Sequence, residues 1–469
     1  MKRQAMDRLV AWKNDSGRRP LLLRGARQVG KTWLMKEFGS QEYERTAYVR
    51  FDHASPLRDV FASETNVANL LQAVQLHVGF KVEPGKTLLV FDEIQECPGA
   101  LASLKFFCEE ASGIDIIAAG SQLGLSDHVG TGFPVGKVDT QYLYPLSFRE
   151  FLTATGKGQF AELIGNRDWR MMSPFHDELV RLLKLYFLVG GMPRVVDDYA
   201  SHNDFARMRR IQNSLLLDYR SDFGKHAPPV QVRRIEAVWD SIPGQLSREN
   251  KKFVFGDVQQ GTRARDLEFS MLWLTEAGLM RQECRVSKPD LPLEAYRDGA
   301  FKGFMLDVGL LAAKARLQPR TVLDGSRIFE EFKGALTEQF VQQEIVAELG
   351  EEPHYWASPR GDAEVDFLLQ GSGDVIPVEA KASVNLQSKS LKFYCGKFCP
   401  PAAVRTSLAR YFRRTLDYDS QKANSPAQYE LIDIPLYAIG QLANELTPER
   451  DNDGHWDGGD GSPRKEGVE

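Results

Sequence analysis

Leu21-Leu22-Leu23-Arg24-Gly25-Ala26-Arg27-Gln28-Val29-Gly30-Lys31-Thr32 decides how this chain is read. A short apolar run ends in glycine, four residues follow, and Gly-Lys-Thr closes the stretch. This is G-x-x-x-x-G-K-[ST], the pattern of a phosphate-binding P-loop. The apolar run suits a buried parallel strand. Trp33 to Phe38 reads as a helix whose N-terminus faces the same phosphate. The two glycines let the loop turn tightly and aim its N–H groups at one point. Gly25, Ala26, Arg27, Gln28, Val29, Gly30, Lys31 and Thr32 therefore form the expected nucleotide cradle, with ATP as its ligand. Lys31 is expected at the β- and γ-phosphates, and the Thr32 hydroxyl on Mg²⁺.

Working outward, residues 3–14 read as an amphipathic helix that leads into the first strand. Arg45 to Phe51 alternates at period two and reads as a strand. Residues 56–79 carry apolar side chains at helical spacing. Lys86-Thr87-Leu88-Leu89-Val90-Phe91-Asp92-Glu93 is a second buried strand closed by two acids. A helical stretch over 99–111 precedes a third apolar strand, 114–119, which ends at Gly120-Ser121. Strands alternating with helices give a parallel sheet covered on both faces. At the strand end Asp92 is expected to hold Mg²⁺ and Glu93 to polarise the attacking water. Ser121 either bonds the γ-phosphate or is a plain turn serine.

The resemblance becomes specific beyond these motifs. Phe133 to Val138, Tyr144-Pro145-Leu146-Ser147-Phe148-Arg149-Glu150-Phe151-Leu152 and Gly190-Gly191-Met192-Pro193 join the P-loop and the acid pair. Together they resemble a prokaryotic family of AAA-type ATP-binding proteins that carry a C-terminal domain of unknown function. Many members have Arg after the glycine near 136, where this chain has Lys137. The resemblance implies an AAA-type ATPase core over 1–155 and a helical and winged-helix region over 156–285. It also leaves open a homo-oligomer in which an arginine reaches a neighbour's nucleotide, with Arg149 one candidate. Arg194 is a candidate nucleotide sensor or a surface arginine. Residues 205–265 hold 12 Lys and Arg against 6 Asp and Glu. That is a face for DNA phosphates or a solvated helix surface. Phe301 to Leu311 resembles a further family segment, in which Asp307 is expected to cap or pair locally.

The C-terminal third has its own constellation. Residues 330–350 read as an amphipathic helix containing Glu338. Glu364 to Leu369 and Val375 to Lys381 read as a hairpin turning at Gly371-Ser372-Gly373. Glu379 and Lys381, two apart, share one strand face, with Asp366 within cross-strand reach. Asp366, Glu379 and the Ala380 carbonyl are expected to hold Mg²⁺ with help from Glu338, and Lys381 to position water. This Glu…Asp…Glu-x-Lys order resembles the restriction-endonuclease-like, PD-(D/E)xK nuclease superfamily. The expected fold class is thus α/β, with a restriction-endonuclease-like α/β domain over 286–440 and a disordered tail over 441–469. Two functions follow: an ATPase driving a DNA-acting nuclease, or a nucleotide-switched regulator with a silent nuclease-like domain.

Composition bounds these readings. The 469 residues are 42% hydrophobic and 26% charged, with a net charge of −5. The balance excludes a globally basic nucleic-acid binder. No apolar run reaches membrane-span length. Five scattered cysteines suit reduced thiols and a cytoplasmic setting.

Overall fold

Five strands, β1 (Leu21–Arg24), β2 (Arg45–Arg50), β3 (Thr87–Asp92), β4 (Asp115–Ala119) and β5 (Asp139–Tyr142), form a wholly parallel sheet in the order β2-β3-β4-β1-β5. The computed structural model describes residues 2–52, 55–120, 133–323, 327–371, 373–383, 387–418 and 428–446. Ser121, the Ser372 turn position and residues 447–469 lie outside the described residues.

Side-chain alternation explains why β1, β3 and β4 are apolar between their ends. Leu21, Leu23, Leu88, Val90, Ile117 and Ala119 face one buried cluster. Leu22, Leu89, Phe91, Ile116 and Ala118 face another. Both faces are covered, so the central positions are apolar on either side and polar residues are confined to the strand ends. β5 is different. Asp-Thr-Gln-Tyr is short and half exposed, and it carries no hydrophobic signature to announce a strand.

The middle of the chain is helical, with helices at Phe148–Ala154, His176–Val189, Pro193–His202, Phe205–His226, Pro229–Leu246 and Ala264–Glu276. Pro228-Pro229 does end one helix and begin the next. Pro243, by contrast, does not break its helix but sits inside Pro229–Leu246. Ile235, Val238, Trp239, Ile242 and Leu246 are buried on that helix. At about 1.5–3 kcal/mol each, their burial outweighs the roughly 3 kcal/mol that a helical proline costs.

Eight more strands form a mixed sheet: β6 (Met280–Val286), β7 (Arg297–Met305), β8 (His354–Ala357), β9 (Glu364–Gln370), β10 (Val375–Ala380), β11 (Ala402–Ser407), β12 (Phe412–Asp417) and β13 (Gln428–Pro435). Their order is β12-β13-β11-β10-β9-β8-β6-β7. β6 and β7 pair antiparallel after the helix Ala264–Glu276, and this hairpin is built into the C-terminal sheet. The sheet therefore runs across the boundary expected at 285/286. The helix Arg327–Glu344, continued by a π turn at Ile345–Leu349, packs between this sheet and the helical middle. One apolar cluster runs from Leu21 through Tyr186 and Phe340 to Ile439, so all three regions share a core.

Candidate nucleotide site and C-terminal carboxylate cluster

The P-loop takes a path that needs its glycines. Gly25 has φ +142°, and a Cβ there would lie 2.2 Å from the Leu143 carbonyl oxygen of the neighbouring chain segment. Gly30 has φ +98° directly before the helix Lys31–Glu42. Lys31 is buried and folds back on its own loop, donating from Nζ to the Gly25 oxygen at 2.7 Å and the Ala26 oxygen at 2.8 Å. Burial pushes its pKa down to about 8, with Glu93 and Asp92 pulling it back up. Thr32 Oγ1 donates to Asp92 Oδ2 at 2.7 Å. The same oxygen accepts from the Tyr48 hydroxyl at 2.8 Å, and Asp92 Oδ1 accepts from the Glu93 N–H at 3.0 Å. Glu93 adopts a left-handed backbone, φ +52°, and accepts from Gln95 Nε2 at 2.7 Å. Strain of this kind, roughly 1–3 kcal/mol, persists only where surroundings hold it. Thus Lys31, Thr32, Asp92 and Glu93 converge at the carboxyl ends of β1 and β3.

The C-terminal residues also converge, but on lysines. The β9–β10 register pairs Phe367 with Val378, so one step further places Asp366 opposite Glu379. Asp366 Oδ2 accepts from the Ala380 N–H at 2.8 Å. Lys302, fully buried on β7, lies 2.7 Å from Glu364, 3.2 Å from Glu338 and 3.9 Å from Asp366. Lys251 reaches in from the helical region and pairs with the other Glu338 oxygen. Lys381 pairs with Glu379. Burial and the charges of Glu338 and Glu379 push Asp366 well up, and burial pushes Glu379 up against the pull of Lys381. Burial alone would raise Glu338, but Lys302 and Lys251 hold it below its ordinary value. Among the described residues no group of three or more His, Cys, Asp or Glu is arranged to hold a metal ion. Ammonium groups sit among these acids, Lys302 and Lys251 on Glu338 and Lys381 on Glu379, while Asp366 keeps only the more distant Lys302.

Residues 17–152 match the family model of an AAA domain. Residues 180–321 and 333–419 match two models described as domains of unknown function, DUF8612 and DUF4143. No curated protein matches the chain. Among solved structures, a Walker-type ATPase of Pyrococcus abyssi is 15% identical, with TM-score 0.43, covering 67% of this chain and 95% of its own. The Aeropyrum pernix Orc1 protein in complex with DNA is 11% identical, with TM-score 0.26, covering 67% and 91%. Cdc6p of Pyrobaculum aerophilum is 12% identical, with TM-score 0.26, covering 69% and 93%.

The AAA domain's loop is gripped from outside by residues that no motif announced. Arg27 pairs with Asp222, Gln28 Nε2 donates to Asp218 at 3.0 Å, and the Tyr219 hydroxyl donates to the Arg27 oxygen at 2.9 Å. All three acceptors or donors sit on the helix Phe205–His226. From the other side, buried Arg3 donates to the Val29 oxygen at 3.1 Å, the Tyr144 oxygen at 2.7 Å and Glu150 at 3.1 Å. Glu150 also closes the capping box of the helix Phe148–Ala154. That explains the Glu in the Pro-Leu-Ser-Phe-x-Glu segment. Arg194 is exposed at the start of its helix. Arg149, partly buried, pairs with Glu348 at 3.5 Å and donates to the Ala161 oxygen at 3.4 Å. Of the bases in 205–265, Arg207, Arg248 and Lys251 pair with acids and Arg209 bonds the Leu317 oxygen, while Arg210, Arg233 and Arg234 are exposed. As expected, Asp307 caps: its side chain accepts from Leu310 N–H at 2.9 Å and from Gly191 N–H at 2.6 Å.

Proposed function

We propose that the chain binds ATP with Mg²⁺ at the P-loop, hydrolyses it, and passes the nucleotide state to a C-terminal domain that recognises a partner without cutting it. The observation that carries the ATPase reading is the meeting of Lys31, Thr32, Asp92 and Glu93. These residues fit the group: main-chain amides of Gly25 to Lys31 cradle phosphates, and Thr32 with Asp92 offers adjacent hard oxygens for Mg²⁺. The metal, when bound, neutralises phosphate charge. Lys31 leaves its loop carbonyls for the phosphates, and Glu93 takes a proton from the attacking water. The test is ATP turnover by the parent, Lys31→Ala and Glu93→Gln. Glu93→Gln should keep ATP affinity and lose about 10²–10⁴ in rate. Unchanged turnover removes Glu93 from the role.

For the C-terminal domain, the lysines around Glu338, Asp366 and Glu379 support recognition over cleavage. Exposed Arg210, Arg233 and Arg234 suit DNA as the partner, bound with strong salt dependence. One observation favours the cutting alternative: Glu379 Oε2 is buried with no hydrogen-bond partner near Asp366. Plasmid cleavage with Mg²⁺ or Mn²⁺, abolished by Asp366→Ala while ATP turnover survives, would establish a nuclease. DNA retention without cleavage in any metal supports the regulator.

A further inference from the structure

A cavity of about 1000 Å³ lies between the outer side of the P-loop, at Gly25 and Ala26, and the first strand of the C-terminal sheet. Gly25 and Ala26 give it one wall of the P-loop, but none of Lys31, Thr32, Asp92 or Glu93 lines it, so it opens on the side of the loop away from those four side chains. We propose that this cavity is a second nucleotide site, which takes a phosphate at Arg281 and the hydrogen-bonding edge of a base at Glu283.

Four observations meet there. Glu283 is 2% exposed and lines the cavity, yet neither carboxyl oxygen has a hydrogen-bond partner. A buried acid left unsatisfied in this way costs several kcal/mol unless a ligand answers it. Gln342, on the helix Arg327–Glu344, brings a second orphaned acceptor, Oε1, to the same walls. Arg281 makes no ion pair among the described residues; its guanidinium lies 4.7 Å from the ring centre of Tyr144. Tyr144 in turn stacks on Tyr142, with centroids 6.3 Å apart and planes at 6°.

The spacing selects the ligand class. Arg281 and Glu283 are two apart on β6, so they share a face at about 7 Å. One anionic group and one N–H-bearing edge must therefore be separated by a sugar-sized spacer. A bare metal ion is disfavoured by the Lys302 charge, whose residue is the cross-strand partner of Glu283. Burial and the neighbouring acids Glu338, Asp366 and Glu364 raise Glu283 well above the ordinary carboxylate range. A neutral carboxyl offers one donor and one acceptor, the pattern of a base edge. The Tyr142–Tyr144 stack backs the Arg281 guanidinium at the phosphate end, and the volume matches small-molecule pockets.

The source is a free nucleotide or one unit of a single strand, and two probes separate them. The Lys31→Ala full-length chain is dialysed against each labelled nucleoside monophosphate and against a short labelled single-stranded oligonucleotide. Saturable binding of one probe molecule per chain is expected, weakened at least about tenfold by Arg281→Gln and by Glu283→Leu. Gln342→Leu serves if Glu283→Leu does not fold. Monophosphate binding assigns a free nucleotide, and oligonucleotide binding alone assigns a strand. No saturable binding of any probe, or binding indifferent to Arg281→Gln and Gln342→Leu, overturns the proposal. ATP turnover of the parent is read separately, so loss of this site leaves the P-loop reading standing.

Discussion

Lys31 spends its ammonium on two carbonyls of its own loop, and burial holds its pKa near 8. The free chain therefore loses this proton as pH rises through about 8. Bound triphosphate favours the charged form, so binding above that pH takes up a proton. ATP affinity should then fall by up to tenfold per pH unit above about 8 and be flat below it. Titration of a fluorescent ATP analogue across about pH 7 to 9.5 reads this directly. A flat profile would mean that Lys31 is not the group that meets the phosphates.

At the level of elements, two family segments turn out to be one joint. Gly190 and Gly191 end the helix His176–Val189, and Asp307 caps the helix Val308–Lys314 against them. A Cβ on Gly190, at φ +74°, would lie 2.2 Å from Asp307 Oδ1, and one on Gly191 would lie 2.1 Å from the Leu146 oxygen. Gly190→Ala should cost about 3 kcal/mol or more in urea unfolding, from backbone strain plus displacement of a buried carboxylate. Gly156→Ala, at φ +78° with nothing within 4 Å, should cost only about 1–2 kcal/mol. Equal losses would show that φ alone matters and that the joint does not. Asp307 itself is pushed up to about 6 by burial, against the pull of its Gly191, Leu310 and Gly309 amides. An acid with a raised folded pKa favours the protonated fold, so its contribution to stability grows as pH falls from about 6 toward 4. Asp307→Asn should flatten that slope in a urea series. What was legible follows the same physics. β1, β3 and β4 announced themselves because both faces are buried, and the P-loop because its spacing is local. β5 was silent because Asp-Thr-Gln-Tyr has no apolar side to read. Arg3, Asp218 and Asp222 were silent because their partners lie 26 to 195 residues away. Lys302 was silent because a lone lysine in a strand gives no sign that it will be buried among acids.

For the whole molecule, the shared core and the helix Arg327–Glu344 decide how far the AAA domain and the C-terminal sheet act as one. That helix carries Glu338 into the lysine cluster at one end. At the other, Glu344 accepts from the Phe148 N–H at 2.8 Å and Glu348 accepts from Gln4 at 2.9 Å, beside Arg3 and the P-loop. One helix therefore ties the cluster to the segments beside the P-loop. Lys302 lies within 4 Å of three of the cluster's acids. Lys302→Met leaves Glu338, Glu364 and Asp366 short of one buried counter-charge and should cost about 3–5 kcal/mol at neutral pH. The sign of its pH dependence is fixed. Without Lys302 the folded pKa values of Glu338 and Asp366 both rise, because its charge pulls each of them down, so the loss shrinks as pH falls and these acids take up protons. Adding Glu338→Gln removes one of the stranded charges, so the double variant should recover at least about 1 kcal/mol over Lys302→Met alone, a non-additive result. Urea midpoints at about pH 7 and 5 for the parent, both singles and the double read all of this. A loss equal at both pH values, or strictly additive singles, would show that Lys302 is packed there as a hydrocarbon stem and that its charge does not hold the C-terminal cluster together.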